Sequence, residues 1–385
     1  MSKTHRGIKF RIYPSSEQQI LISKTIGCSR FVYNKMLMLS KEAYDNNEKF
    51  VSRNKFNYRL TKLKKEYPWL SEVDATALTS ANDDLSVAFK NFFDKRTGFP
   101  KFHKKKTRGS YTSKRIKNSN NIALKDKYIK LPKLGLVKAK MHRLPNNNWI
   151  IKSATVSQES DDKYYVSVLF EFDTPINTYV ADMTNAIGLD YASESLYVDN
   201  NGNLGANHKY YRESHKKLAK EQRKLSRKIG SEKHSVKSNN YLKQLNKVNK
   251  IYRHISNQRL DNLHKISTEI ANQYDVVCVE SLNMKAMSNK GFGNGRATLD
   301  NGYGMFLNLL EYKLSDRNKY LIKIDKWYPS SQICHCCGKL HPEMKDLKIR
   351  TMKCDCGLVI NRDQNAAINI LNEGLRILNT SFEVA

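Results

Sequence analysis

The stretch from Cys334 to Ile370, CHCCGKLHPEMKDLKIRTMKCDCGLVINRDQNAAINI, limits this chain more tightly than any other, because it gathers five of the seven cysteines. Cys334-x-x-Cys337-Gly338 and Cys354-x-Cys356-Gly357 have the spacing of two thiolate knuckles, each with a turn glycine. Four such thiolates close a tetrahedral structural zinc site with no position left for water, so the metal would hold shape and carry no chemistry. Cys336 is left over: it can replace Cys337 or stand aside. Asp363 follows where a helix is predicted to begin, a place from which a carboxylate can be aimed at a metal.

The alternative use of clustered cysteines, disulfide bonding, requires an oxidising compartment. No run of about 20 apolar residues occurs, and the opening MSKTHRGIKF lacks the apolar core of a signal peptide. A cytoplasmic, nucleoid-associated protein is expected. Cys28 and Cys278 lie in apolar contexts and read as buried thiols. The formal net charge is +30, from 67 Lys and Arg against 37 Asp and Glu. That excess points to a polyanion, with nucleic acid first.

At 385 residues the chain is long enough for two or three domains of about 100 to 200 residues each. IKFRIY at 8–13 alternates as a half-buried strand, ended by Pro14. Ser15, Ser16 and Glu17 open a helix, a second helix is predicted near 54–66, and a third starts at Asp74. From Lys90 to Arg143 there are 18 Lys or Arg against two acids, and the strand-like pieces that follow suggest a small β-barrel. A strand ends near Asp190, a second runs from Ser195 to Val198, and the turn at Asp199 to Gly202 makes them a hairpin. Residues 209–260 hold 16 Lys or Arg against three Glu, in a segment with helical apolar spacing to Ile266 broken at Gly230-Ser231; it reads as a basic helical hairpin. DVVCVE at 275–280 is a buried strand tipped by Glu280. The glycine-rich SNKGFGNGRAT after it lacks the P-loop pattern. A helix from Tyr303 to Asn318 and a strand from Tyr320 to Asp325 complete an α/β order with crossovers.

Asp190, Glu280 and Asp363 each end a strand or open a helix. Carboxylates converging from several elements are how a two-metal phosphodiesterase holds two Mg²⁺ ions about 3.5–4 Å apart, with hard oxygen ligands and no need for His. The plain alternative is three unrelated acids among 37.

At these residues the chain resembles a known family. IGLDYASESLYVDNNGN, VVCVESLNMKAM, WYPSSQICHCCG and CDCGLVINRDQNAAINI resemble, in that order, the three RuvC motifs and zinc ribbon of TnpB, the transposon-encoded RNA-guided DNA nuclease related to type V CRISPR effectors. GFPKFHKKK at 98–106 and the basic segment before SNQRLDNLHKIS are also similar. The resemblance implies that Asp190, Glu280 and Asp363 form the Mg²⁺-holding catalytic triad and that Cys334, Cys337, Cys354 and Cys356 bind zinc. It implies an α+β multidomain chain: a wedge β-barrel (1–14 and 95–180), an inserted helical recognition module (15–94), an RNase H-like RuvC domain (181–331 and 359–385, with the basic hairpin at about 209–266), and a zinc ribbon (332–358) inserted in it. The implied partners are a guide RNA from the transposon end and target double-stranded DNA bearing a short adjacent motif, held by a monomeric ribonucleoprotein.

Three departures stand out. Asn361-Arg362-Asp363 replaces the common Asp-Arg-Asp, Glu280-Ser281 replaces Glu-Asp, and the second knuckle is Cys-x-Cys instead of Cys-x-x-Cys. Many relatives also carry Gln around Thr79 and Ser80, so the motif read here is not to be assumed. Two other functions compete: a nuclease-inactive RNA-guided repressor, and an RNase H-like transposase that binds transposon ends without RNA.

Overall fold

The computed structural model describes residues 3–46, 53–105, 108–173, 178–229, 237–289 and 295–383. They fall into two compact units, Met1–Pro175 and Ile176–Ala385.

The first unit runs β1 (Lys3–Tyr13), α1 (Ser16–Asp45), α2 (Arg53–Glu66), α3 (Ala75–Phe93), β2 (Gly109–Lys114), β3 (Ala123–Lys125), β4 (Tyr128–Leu131), β5 (Gly135–Lys140), β6 (Ile150–Gln158) and β7 (Tyr164–Asp173). The start of α1 is fixed by a reciprocal cap: Gln18 N–H donates to Ser15 Oγ at 3.3 Å, and Ser15 N–H donates to Gln18 Oε1 at 3.0 Å. Asp74 Oδ1 accepts from Thr76 N–H at 2.9 Å and starts α3. The helices share their own core, built on Val32, Met36, Phe56, Leu70 and Leu85.

The seven strands form one antiparallel sheet in the order β2-β6-β7-β1-β5-β4-β3. Alternate residues from six of them, among them Phe10, Tyr111, Ile129, Val137, Val156 and Val168, meet in a single core. One face of seven strands can reach a common core only if the sheet curls. Among the described residues no ladder joins the edges β2 and β3, so the expected barrel is an open half-barrel.

The second unit runs β8 (Ala186–Tyr191), β9 (Tyr197–Asp199), α4 (Tyr210–Ser226), α5 (Asn239–Gln273), β10 (Val276–Glu280), α6 (Met284–Met287), α7 (Gly295–Asn301), α8 (Tyr303–Ser315), β11 (Tyr320–Ile324), β12 (Thr351–Lys353), β13 (Val359–Asn361) and α9 (Arg362–Glu383). Strand β9 is antiparallel to β8, while β8, β10 and β11 are parallel, as the element order required. The basic hairpin is present as α4 and α5. Helix α5 outruns the expected Ile266 because Ile270 and Ala271 continue its buried stripe. The expected break at Gly230-Ser231 lies outside the described residues, as do residues 290–294 of the glycine-rich loop. No described helix is long and apolar enough to cross a membrane.

This sheet is covered on both faces. Ile187, Leu189, Val277 and Val279 pack under α5 and α8, through Leu263, Ile270, Phe306 and Leu310. Val276, Cys278 and Ile324 pack under α9, against Ile370 and Leu378. Gly188 lies on the α9 side: a Cβ there would meet the Ala367 carbonyl oxygen, and Leu371 N at 2.9 Å. Backbone cannot yield as a side-chain tip can, so Gly188→Ala is expected to destabilise this unit by about 1–3 kcal/mol. Denaturant unfolding should register that loss, whereas Gly27→Ala, which meets nothing within 4 Å, should not lower stability.

Candidate carboxylate site and cysteine cluster

Side chains alternate along a strand, so Asp190 shares the α9 face of β8 with Ala186 and Gly188, and Glu280 shares the α9 face of β10 with Val276 and Cys278. The strands pair Ala186 with Val276 and Leu189 with Val279. One step further along this parallel register, Glu280 stands beside Asp190 at the C-terminal ends of both strands. Asp363 reaches the same end from the first turn of α9. Asn361 Oδ1 caps that turn, accepting from Asp363 N–H at 2.9 Å and Gln364 N–H at 3.2 Å.

The electrostatics reflect this convergence. Asp190 keeps some accessible surface, yet its carboxyl is packed deeply enough that burial, followed by Glu280 and Asp363, holds its pKa well above the usual range. Burial raises Glu280 to about 7. Arg362 acts on Asp190 in the opposite sense, and Arg350 Nη1 lies 3.5 Å from Asp363 Oδ2 at the exposed rim. Among the described residues the three carboxylates do not gather their oxygens as tightly as the cysteines gather their sulfurs. Hard oxygen donors gathered at one end of the sheet, two of them with pKa values raised chiefly by burial, could hold a divalent cation such as Mg²⁺.

Several residues that sequence reasoning missed hold this end together. Asn301 Nδ2 donates to Ala192 O at 2.9 Å and Ser195 O at 2.7 Å, gripping the loop after Asp190. The neighbouring Asp300 is buried and accepts from Arg259 Nη2 at 2.9 Å and Tyr211 N–H at 3.1 Å, fixing the start of α4. A signal was available in sequence: two consecutive polar residues, Asp300 and Asn301, within an otherwise amphipathic run.

Sulfurs of Cys334, Cys337, Cys354 and Cys356 lie within 4.8 Å of one another, with Cys334 to Cys356 at 3.7 Å and Cys337 to Cys354 at 3.5 Å. Zinc–sulfur bonds of about 2.3 Å require a tetrahedral edge of about 3.8 Å, so the cluster could hold zinc with little adjustment. Cys336 is exposed and outside the cluster. In the first knuckle Gly338 N–H donates to Cys334 O; in the second Gly357 N–H donates to Cys354 O, each at 2.9 Å. The second loop closes one residue earlier, which accommodates Cys-x-Cys. Gly338 and Gly357 have φ of +76° and +89°, the left-handed region open to glycine.

The first unit has a separate concave feature, a cleft of about 870 Å³ between α1, α3 and β2. Arg30, Lys101, Lys104 and Arg108 line it. The His103 ring stacks on Tyr33 at 3.9 Å, held by Asn34, which bonds both the N–H and the C=O of His103. Ser29 and Ser80 place buried hydroxyls without partners along this cleft.

Glu280 carries a sign-definite pH prediction. Its folded pKa lies above its ordinary 4.5, so the stability it contributes is full below about 4.5 and is lost as pH rises through about 7. Melting temperature in magnesium-free, zinc-containing buffer should fall across that window, and Glu280→Gln should flatten the fall. Exchanging Cys356 for Ser should release zinc and lower the melting temperature, whereas Cys336→Ser should leave zinc content, measured by elemental analysis, unchanged.

Comparison with known proteins covers nearly the whole chain. Residues 303–370 match the family profile described as "Cas12f1-like, TNB domain", 157–290 the one described as "Probable transposase", and 1–49 a "Helix-turn-helix domain", where the described residues form β1 and α1. A protein of Streptomyces pristinaespiralis named "Putative RNA-guided DNA endonuclease" is 34% identical, the alignment covering 97% of this chain and 90% of that one. Another, "Putative RNA-guided DNA endonuclease InsQ" of Escherichia coli K12, is 30% identical over 98% and 94%. The fold is similar to that of Cas12f1 in a cryo-EM structure of its complex with sgRNA and target DNA, with a TM-score of 0.55, 15% identity, and coverage of 96% of this chain and 98% of that one. Relatives this similar over nearly the full length of both partners place the chain in the TnpB family, to which its four ordered motifs pointed.

Proposed function

We propose that the protein is an RNA-guided DNA endonuclease that cuts target DNA by two-metal phosphodiester hydrolysis. The observation that carries this reading is the arrival of Asp190, Glu280 and Asp363 at one end of the β8–β10 pair, where burial holds the pKa of both Asp190 and Glu280 above the usual carboxylate range. Both full-length relatives bear the activity in their names, and the similar fold was seen with guide RNA and target DNA.

In this reading residues 181–331 and 359–385 are the RuvC domain, 332–358 its zinc ribbon, and 1–14 with 95–180 the wedge around the 15–94 recognition module. Asp190, Glu280 and Asp363 would hold two Mg²⁺ ions, whose chemistry there would be to activate a water and to stabilise the leaving oxygen. Glu280, raised to about 7, must release its proton before it can serve as a ligand. Arg350, exposed at the rim, is placed to meet a phosphate. Cys334, Cys337, Cys354 and Cys356 hold zinc and set the shape of the ribbon. The cleft of the first unit, lined by Arg30, Lys101, Lys104 and Arg108 with the stacked His103–Tyr33 pair, suits contact with the adjacent DNA motif, while base pairing with the guide reads the rest.

The chain, purified with its transposon, should carry a discrete RNA; sequencing that RNA defines the target. Asp190→Ala and Asp363→Ala should each retain the RNA and lower cleavage of matching DNA by at least 1,000-fold, on the order expected when a metal ligand is lost. Cleavage that survives both changes would falsify the assignment. Matching DNA bound by the wild type without cutting would favour the repressor, and an RNA-free complex specific for transposon ends would favour the transposase.

A further inference from the structure

Helix α9 carries two asparagines one turn apart, Asn365 and Asn369, in its buried stripe, 0% and 3% exposed. Asn is a poor residue for a helix interior, and a buried amide must be bonded, so their partners are informative. Asn365 Nδ2 donates to Ile333 O at 2.8 Å. Its Oδ1 accepts from His335 N–H at 3.2 Å and lies 2.9 Å from His335 Nδ1. Asn369 Nδ2 donates to Ser330 O at 2.8 Å and Ile333 O at 2.6 Å. Every one of these contacts lands on residues 330–335, the segment that contains Cys334. On the other side of Asp363, Arg362 is also buried, its N–H donating to Arg350 O at 2.9 Å and its guanidinium to Asp346 O at 3.1 Å and Ser331 Oγ at 3.3 Å. The first turn of α9 is thus bracketed by the cysteine module, with Asp363 between the two attachments.

We propose that Asn365 is a positioning residue that ties the first zinc knuckle to Asp363, so that zinc occupancy and the placement of the third carboxylate are coupled. The proposal rests on the carboxylate reading given above. The ribbon is then more than a separate scaffold: its folded state sets where the first turn of α9 points, and with it the affinity of the carboxylate site for divalent cations. Coupling of this kind is reciprocal in free energy, so cations at the carboxylates should also slow zinc loss.

The test uses the full chain with its co-purified RNA. Asn365→Ala favours helix and removes the tie; Asn369→Ala serves as the control, because Asn369 holds the same loop one turn further from Asp363. Mn²⁺ binding followed by electron paramagnetic resonance should weaken about tenfold in Asn365→Ala and less in Asn369→Ala, the range seen when outer-shell partners of a metal site are removed. Zinc content and RNA retention should match the wild type, and cleavage lost at low Mg²⁺ should return at high Mg²⁺. Wild-type Mn²⁺ affinity in Asn365→Ala would overturn the proposal. So would equal effects in the two variants, or a loss of cleavage that Mg²⁺ does not restore and that accompanies zinc release. Asp363→Ala, measured alongside, separates the two ideas: if it binds Mn²⁺ and cuts as the wild type does, the carboxylate reading itself fails, and if it is inactive while Asn365→Ala is silent, only the coupling fails.

Discussion

The close approach of α9 to β8 across Gly188 governs where chemistry can occur in the second unit. With no Cβ at that position, the Ala367 carbonyl and the Leu371 backbone settle directly on the strand. The rest of the α9 face is then closed by Ile370 and Leu378 against Val276, Cys278 and Ile324. Interiors are packed at crystal-like density, so this contact permits few alternative placements of the helix. Because Asp363 lies one turn before Ala367, seating the helix also brings its carboxylate to the end of the sheet where Asp190 and Glu280 emerge.

Charge makes that end unusual. A chain with an excess of +30 brings three carboxylates to one end of a sheet, where burial raises the pKa of Asp190 and Glu280 and the neighbouring acids raise Asp190 further. Buried carboxylates are costly unless positive charge lies near them, so a divalent ion would have a free-energy reason to bind here. The cysteine cluster differs in kind. Its soft sulfurs sit at tetrahedral spacing, and its backbone is fixed by two left-handed glycines. Zinc suits the sulfurs and Mg²⁺ the oxygens, so the two centres need not compete for metal.

Much of this organisation was legible in the chain. The alternation of Ile8, Phe10 and Ile12, the helix start at Ser15 to Glu17, the helix start at Asp74 and the crossover order of β8, β10 and β11 all follow from local patterns, because each depends on residues a few positions apart or on the order of elements. The half-barrel did not follow. Strand alternation places one face inward whether or not the edges meet, and whether β2 joins β3 depends on accumulated curl across seven strands. The ties made by Asn365 and Asn369 were also hidden, since an asparagine in a helix looks the same whether it meets water or a carbonyl more than 30 residues away.

The sequence by itself determined the chemical kinds present: four thiolates at knuckle spacing, three acids at element ends, a basic surface, and motifs whose order identified the family. Those are properties of residue type and short spacing, which the linear chain carries in full. Only the tertiary structure decided that Cys336 stands outside the cluster, that the shorter second knuckle still brings Cys356 to the other sulfurs, and that Asp363 is held between two attachments to the cysteine module. Each of these depends on how far apart distant segments come to rest, which packing and backbone hydrogen bonds set and spacing along the chain does not.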